Sequence, residues 1–277
     1  MNHYLAYSAV AIKEGIAFRV NLFTSMFGGL FQLVLLTSVW RAVYLGQGDL
    51  AGYDESEMLF YVVVATAMGV GGLLSVGPII GRRNDTGDIV IDMARPVSVP
   101  WSYFFSTLGV YALRFWIKGI PTLIIGLILI GRVPPVSLHR LAAFLLLLAG
   151  GSFLHFCLNL GVASFAFRTR SAYGINILWT AATAFFAGLL VPIAFYPEAL
   201  RQVVEWTPFP SVAYAPIRVL MGDEAATGGF GALYSGVLRF PSVPAAVLEQ
   251  ITWILIALPL AFRVYRWNEK SVEIQGG

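Results

Sequence analysis

The sequence predicts an all-α integral membrane protein with six transmembrane helices, on three observations. Only 12% of the 277 residues are charged, against about 25% in a soluble domain. Hydrophobic residues make up 58% and mean hydropathy is +0.76, an apolar excess that calls for lipid rather than a larger core. Six windows are candidates for the roughly 20-residue apolar helix that crosses a bilayer: 22–40, 58–81, 101–131, 141–167, 171–197 and about 247–264. Their apolar runs are continuous, whereas barrel strands alternate over segments of about 10 residues.

Residues 1–20 read as an interfacial helix. Leu5, Ser8, Ala9, Ile12 and Ile16 recur at helical spacing, with His3, Lys13 and Glu14 elsewhere on the wheel. The first, second, fourth and fifth windows carry no charge at all. The third is interrupted by Arg114 and Lys118, which share a face at i, i+4. Two readings stand: both cations snorkel to the inner headgroups, or Lys118 faces a cavity that receives an anionic group. The 52 residues of 195–246 hold six prolines. There 198–206 and 215–221 read as short helices, the second ending at Gly222, that dip into the outer face. A glycine cluster at 228–231 then leads back to the last span, and 268–277 form a tail.

Orientation follows from the basic residues. With the N-terminus inside, the inner segments hold Lys13, Arg19, Arg82, Arg83, Arg95, Arg168, Arg170, Arg263, Arg266 and Lys270, against Arg41, Arg132 and Arg140 in the short outer loops. Positive residues concentrate on the cytosolic side, so both termini are expected there.

Several chemistries lack their residues. One cysteine, Cys157, excludes an internal disulfide and a cysteine cluster, and 1–20 lacks the pattern of a cleavable signal peptide. A net charge of +3 gives no reason to expect nucleic acid. The stretch from Gly77 to Arg83 lacks the spacing and the lysine of a phosphate-binding loop, so ATP hydrolysis is not expected of this chain. His155, in the fourth window, has no acidic neighbour and reads as a hydrogen-bonded bundle residue. No acid lies at the centre of a window, which demotes proton-coupled transport. The polar span residues, Asn159, Asn176, Thr180 and Thr183 among them, read mostly as interhelical hydrogen-bond partners. Sequence alone leaves three classes open: a permease subunit, an ion-coupled secondary carrier working without an ATPase, and a membrane scaffold or sensor.

The inner loop 81–100 is the most distinctive segment. Arg82, Arg83 and Arg95 offset Asp85, Asp88 and Asp92 around the apolar residues Ile89, Val90, Ile91 and Met93. Asp88 and Asp92 share a helical face, and Pro96 ends the helix. A short mixed-charge helix with apolar knobs below the membrane suits docking of a soluble partner. Asn84-Asp85-Thr86 matches a glycosylation sequon, inert on the cytosolic side.

The run Gly87-Asp88-Ile89-Val90-Ile91-Asp92-Met93-Ala94-Arg95-Pro96-Val97 resembles the ABC-2 family of bacterial ABC-transporter permeases. So do the stretch from Gly188 through Pro192 to Pro197, Trp206-Thr207-Pro208-Phe209-Pro210, Tyr214-Ala215-Pro216 and Gly222. The resemblance covers nearly the whole chain. It implies a bundle like that of type V exporters: six spans over 21–267, an N-terminal interfacial helix, a coupling helix at 85–95 and outer re-entrant helices at 197–222. It also implies a subunit of the bacterial inner membrane that pairs with a second permease, the same or homologous, and docks two separate ATPases that bind ATP and magnesium. No cofactor is expected on this chain. Asp85, Asp88, Ile89, Asp92, Arg95, Pro96, Arg168 and Arg170 are then the coupling candidates, the last two in the short turn 168–171. Met68, Leu73, Lys118, Asn176, Thr180 and Phe186 are candidates to line an export pathway for a hydrophobic or amphipathic cargo.

Overall fold

The computed structural model describes residues 2–17, 19–169, 172–222, 229–236 and 242–272. These are helical apart from turns and one isolated bridge between Leu50 and Tyr53. Helix α1 (Asn2–Ala17) runs against the start of the third span, where the Ser8 hydroxyl donates to the Phe105 carbonyl at 2.6 Å and Tyr4 stacks on Phe105. Its outer side keeps Leu5, Val10 and Ile16 about half exposed. Helix α2 (Arg19–Tyr44) is the first span, and Phe23, Phe27 and Phe31 point out of the bundle.

Among the described residues four stretches are long and apolar enough to cross a bilayer: Leu22–Tyr44, Val99–Ile130, Leu138–Phe167 and Val243–Glu269. Windows two and five fold differently from the uninterrupted spans expected. Window two becomes helix α3 (Glu55–Gly71), a break, and helix α4 (Gly77–Thr86). The break starts at Gly72, whose φ of 87° is open to glycine and strained for other residues. Helix α3 is buried nearly all round from Met58 to Met68, which is why its sequence is apolar on every face. It spans about 25 Å at 1.5 Å per residue.

The loop after window two also differs from the single helix expected at 85–95. Helix α4 carries window two on to Thr86, Gly87 turns the chain in the left-handed region, and helix α5 (Ile89–Ala94) follows. Pro96 accounts for the stop, since Arg95 before it is extended at φ −77°, ψ 142°. The third span then runs as helix α6 (Val99–Arg114), a π turn over Phe115–Gly119 and helix α7 (Ile120–Ile130). Pro121 explains the π turn: it has no N–H for the Ile117 carbonyl, and the chain widens so that Ile120 N–H reaches Phe115 O.

Helix α8 (Leu138–Ala163) covers the fourth window and is closed by a 3₁₀ turn at Ser164–Phe167. Window five yields the shorter apolar helix α9 (Ala172–Phe186), about 22 Å long. The outer segment holds helix α10 (Glu198–Glu205), helix α11 (Tyr214–Met221) and, where glycines were expected to lead straight back, helix α12 (Gly229–Gly236). Helix α13 (Ser242–Glu269) is the last span and packs along α8.

Candidate functional site

Helix α5 hangs below the bundle by one buried anchor. Ile89 is 2% exposed and Asp92 5%, so both turn inward. The Tyr103 hydroxyl of α6 donates to Asp92 Oδ2 at 2.9 Å, Arg83 Nε of α4 lies 3.5 Å from the same oxygen, and Arg95 Nη1 lies 3.7 Å from Oδ1. Asp92, expected on the docking surface, is thus an internal tether among three elements. The outward residues are Val90 and Ile91, 36% and 56% exposed, with Asp85, Asp88 and Arg95 around them. Asp88 accepts from the Thr86 hydroxyl at 2.9 Å and faces Arg83 at 3.6 Å. Arg95 donates to the Tyr7 hydroxyl at 3.4 Å, which joins α1 to the same surface. That bond, with Asp92 adding its charge, holds the Arg95 guanidinium above its usual pKa.

Arg168 is also engaged within the chain. Its guanidinium lies 3.7 Å over the Trp267 ring and donates to Asn268 Oδ1 at 2.6 Å and Trp267 O at 3.2 Å. It ties the end of α8 to the end of α13. Arg170 lies outside the described residues.

Above α4, the break in window two is held by side chains from α8 and α9. Asn159 Oδ1 accepts from the Ser75 hydroxyl at 3.1 Å and from Gly77 N–H at 2.8 Å. Trp179 Nε1–H donates to His155 Nε2 at 3.0 Å, which leaves the proton on Nδ1 to meet the Leu74 carbonyl at 3.2 Å. His155 and Asn159 therefore satisfy backbone that an unbroken helix would have satisfied itself, the condition on which irregular chain survives at membrane depth. Gly77 packs flush on the Asn176 carboxamide, with no room for a Cβ.

The candidate pathway residues lie on several elements. Met68 is buried in the packing of α3. Leu73 packs on the core from within the break. Asn176 meets Gly77, while Thr180 is exposed one turn on and donates to the Asn176 carbonyl at 2.8 Å. Phe186 sits among Phe185 and Phe209. Lys118 Nζ donates to Ser25 Oγ at 3.0 Å, one turn inside the start of the first candidate span.

A tyrosine cluster that sequence reading did not single out joins α11, α3 and the turn after α9. Arg218 of α11 donates to the Tyr53 and Tyr214 hydroxyls at 2.9 and 3.0 Å, and Tyr61 of α3 donates to Gly188 O at 2.7 Å. The Tyr53 side chain is buried, and burial drives its pKa up. Burial likewise raises the Glu205 carboxyl, opposed by nearby Arg201. Gln250 of α13 donates to Leu147 O and Ser211 O, both at 2.9 Å, and pins the loop before α11 to α8. Beside it, Glu249 is 1% exposed and faces Ser211 and Trp253. The only sequence signal was two polar residues side by side at the head of an apolar window.

The family described as "ABC-2 family transporter protein" matches residues 30–266. The chain belongs to this ABC-2 family. No curated protein and no solved structure gives a significant match. The family match covers the broken second window, the suspended α5, the outer helices and nearly all of α13. An ABC-2 protein is a transmembrane transport permease, and its family generally works with ATPase partners and is generally not catalytic. Among the described residues no cluster of histidine, cysteine, aspartate or glutamate could hold a metal ion.

Proposed function

We propose that this ABC-2 permease forms half of an ATP-driven exporter in the bacterial inner membrane, both termini cytosolic, paired with a second permease and two separate ATPases. The observation that carries the reading is the suspended α5. Val90 and Ile91 lie exposed inside a ring of charges, while Asp92 and Ile89 anchor the helix from behind. An exposed apolar knob on a rigid mount suits a soluble partner that pushes. The partner would supply ATP and magnesium chemistry, and the chain's own part is mechanical.

In this reading, force on α5 passes through Asp92 to Tyr103 and Arg83. Helix α4 carries it to the break at 72–76, where α8 and α9 grip the chain. Windows two and five then move between inward- and outward-accessible arrangements, a change between two packings biased by what the ATPases bind. A hydrophobic or amphipathic cargo fits a bundle whose walls are mainly apolar. Asp85, Asp88 and Arg95 are proposed as the charged contacts of the docking surface, Pro96 as the stop that sets its edge, and Arg168 as a brace behind it.

Charge reversal tests this directly. Asp85→Lys with Asp88→Lys is expected to leave membrane insertion unchanged and to reduce ATPase co-purification and transport at least fivefold. Undiminished transport by that variant would remove α5 from the coupling role. Flux by the purified chain in liposomes under an ion gradient, with no nucleotide, would establish the carrier reading instead.

A further inference from the structure

The inner end of α13 carries a charged groove that the coupling surface does not use. Arg263, Arg266 and Lys270 stand three and four residues apart, so they share one face. With Pro259, Phe262 and Trp267 they line an open groove of about 480 Å³. Among the described residues none of the three cations makes a hydrogen bond or ion pair. Among the described residues Glu269 is the acid close enough to Arg266 to interact with it, and these residues leave a surplus of positive charge on the face.

One wall is fixed in advance. Trp267 lies under the Arg168 guanidinium at 3.7 Å, and its neighbour Asn268 is held by Arg168 and by the Ser164 hydroxyl, the latter at 2.8 Å. The other end is opened by Pro259, which sits inside the helix and lacks an N–H for the preceding turn. Above the cations, Leu255 and Leu260 are 69% and 56% exposed. The groove therefore presents positive charge at headgroup depth and apolar surface at acyl depth. A free anion would use only the first of these. A second copy offering the same face would set like charges together.

We propose that this groove binds the headgroup of an anionic phospholipid of the inner leaflet. Arg263, Arg266 and Lys270 hold the phosphate, and Phe262 and Trp267 flank the glycerol and the first part of an acyl chain. Basic residues at the cytoplasmic surface attract anionic lipid electrostatically, and Trp267 is a residue type that favours the interface. The site rests on the C-terminus of α13 lying at the inner leaflet, and not on the coupling role of α5.

The test is lipid retention by the full chain, which requires no transport. The protein is taken from nanodiscs of equal phosphatidylglycerol and phosphatidylcholine, and bound lipids are counted by native mass spectrometry. The wild-type chain is expected to keep phosphatidylglycerol at least fivefold over phosphatidylcholine. The R263Q/R266Q/K270Q variant should lose that preference, and R263Q alone, a milder change, should lower it about twofold. R132Q, on the outer side, should behave as wild type. Equal retention of both lipids by the wild-type chain, or undiminished selectivity in the triple variant, would overturn the site. So would displacement of the lipid by millimolar inorganic phosphate, or an R263C cross-link between two copies that leaves no lipid bound.

Discussion

Asp92 and Tyr103 lie eleven residues apart in the chain, and their 2.9 Å hydrogen bond joins the suspended helix to the third span. A hydrogen bond to a buried carboxylate is worth about 1.5–3 kcal/mol, so this bond stiffens the mount that Arg83 and Arg95 also share. Tyr103→Phe keeps the ring and removes the donor. It is expected to leave expression intact and to lower transport several-fold at unchanged ATPase binding, read by comparing co-purification with flux. Equal flux in the two proteins would make Tyr103 a packing residue only. Gly77 offers a second single-residue test, because a Cβ there meets the Asn176 carboxamide. Gly77→Ala is expected to cost about 1–3 kcal/mol of stability, as overpacking does, measured by thermal unfolding in detergent. Adding Asn176→Ala should recover most of the loss.

At the scale of elements, the start of α3 is set by a local device. Asp54 accepts from Glu57 N–H at 2.8 Å, and Glu57 Oε2 accepts from Asp54 N–H at 3.1 Å, a reciprocal cap. The Glu57 N–H, with the Ser56 hydroxyl and N–H helping, pulls the Asp54 carboxyl below its ordinary pKa against some burial. A depressed folded-state value stabilises above the unfolded pKa of about 3.9 and is lost as pH falls through the lower folded value. Asp54→Ala should therefore lower stability by about 1 kcal/mol at pH 7, with the difference from wild type shrinking as the pH drops below 4. A gap that stays constant with pH would assign the effect to helix propensity rather than to the charged cap. The π turn in the third span is set just as locally, by Pro121, and it lies beside Arg114 and contains Lys118. Lys118 donates to the Ser25 hydroxyl and so ties that turn to α2.

For the whole molecule, burial separates three kinds of surface: a lipid-facing belt, a packed interior around α3 and α8, and two polar ends. Apolar content and window length made the helical membrane class legible before any coordinates. The resemblance carried by the loop at 87–97 and by the proline-rich outer stretch led to the family that residues 30–266 match. The interruption of window two was harder to read, because its glycines, Gly69 to Gly77, look in sequence like close-packing positions of a continuous helix. Asp92 was read as outward because it shares a helical face with Asp88, but α5 begins only at Ile89, and the turn at Gly87 rotates its anchor inward. The outer arginine–tyrosine cluster joins residues up to 165 positions apart, beyond the reach of spacing rules.

The sequence by itself determined that this chain lives in lipid and where proline ends individual helices, as Pro96 does after α5. These follow from transfer free energy and from proline geometry, which act residue by residue. Tertiary structure alone decided which polar groups serve the fold and which are left free. His155, Asn159, Asp92 and Arg168 are all committed to partners from distant segments, whereas among the described residues Arg263, Arg266 and Lys270 are not. A polar side chain in a membrane protein must be satisfied by whatever packs against it, and that neighbour is set by the bundle rather than by the adjoining residues.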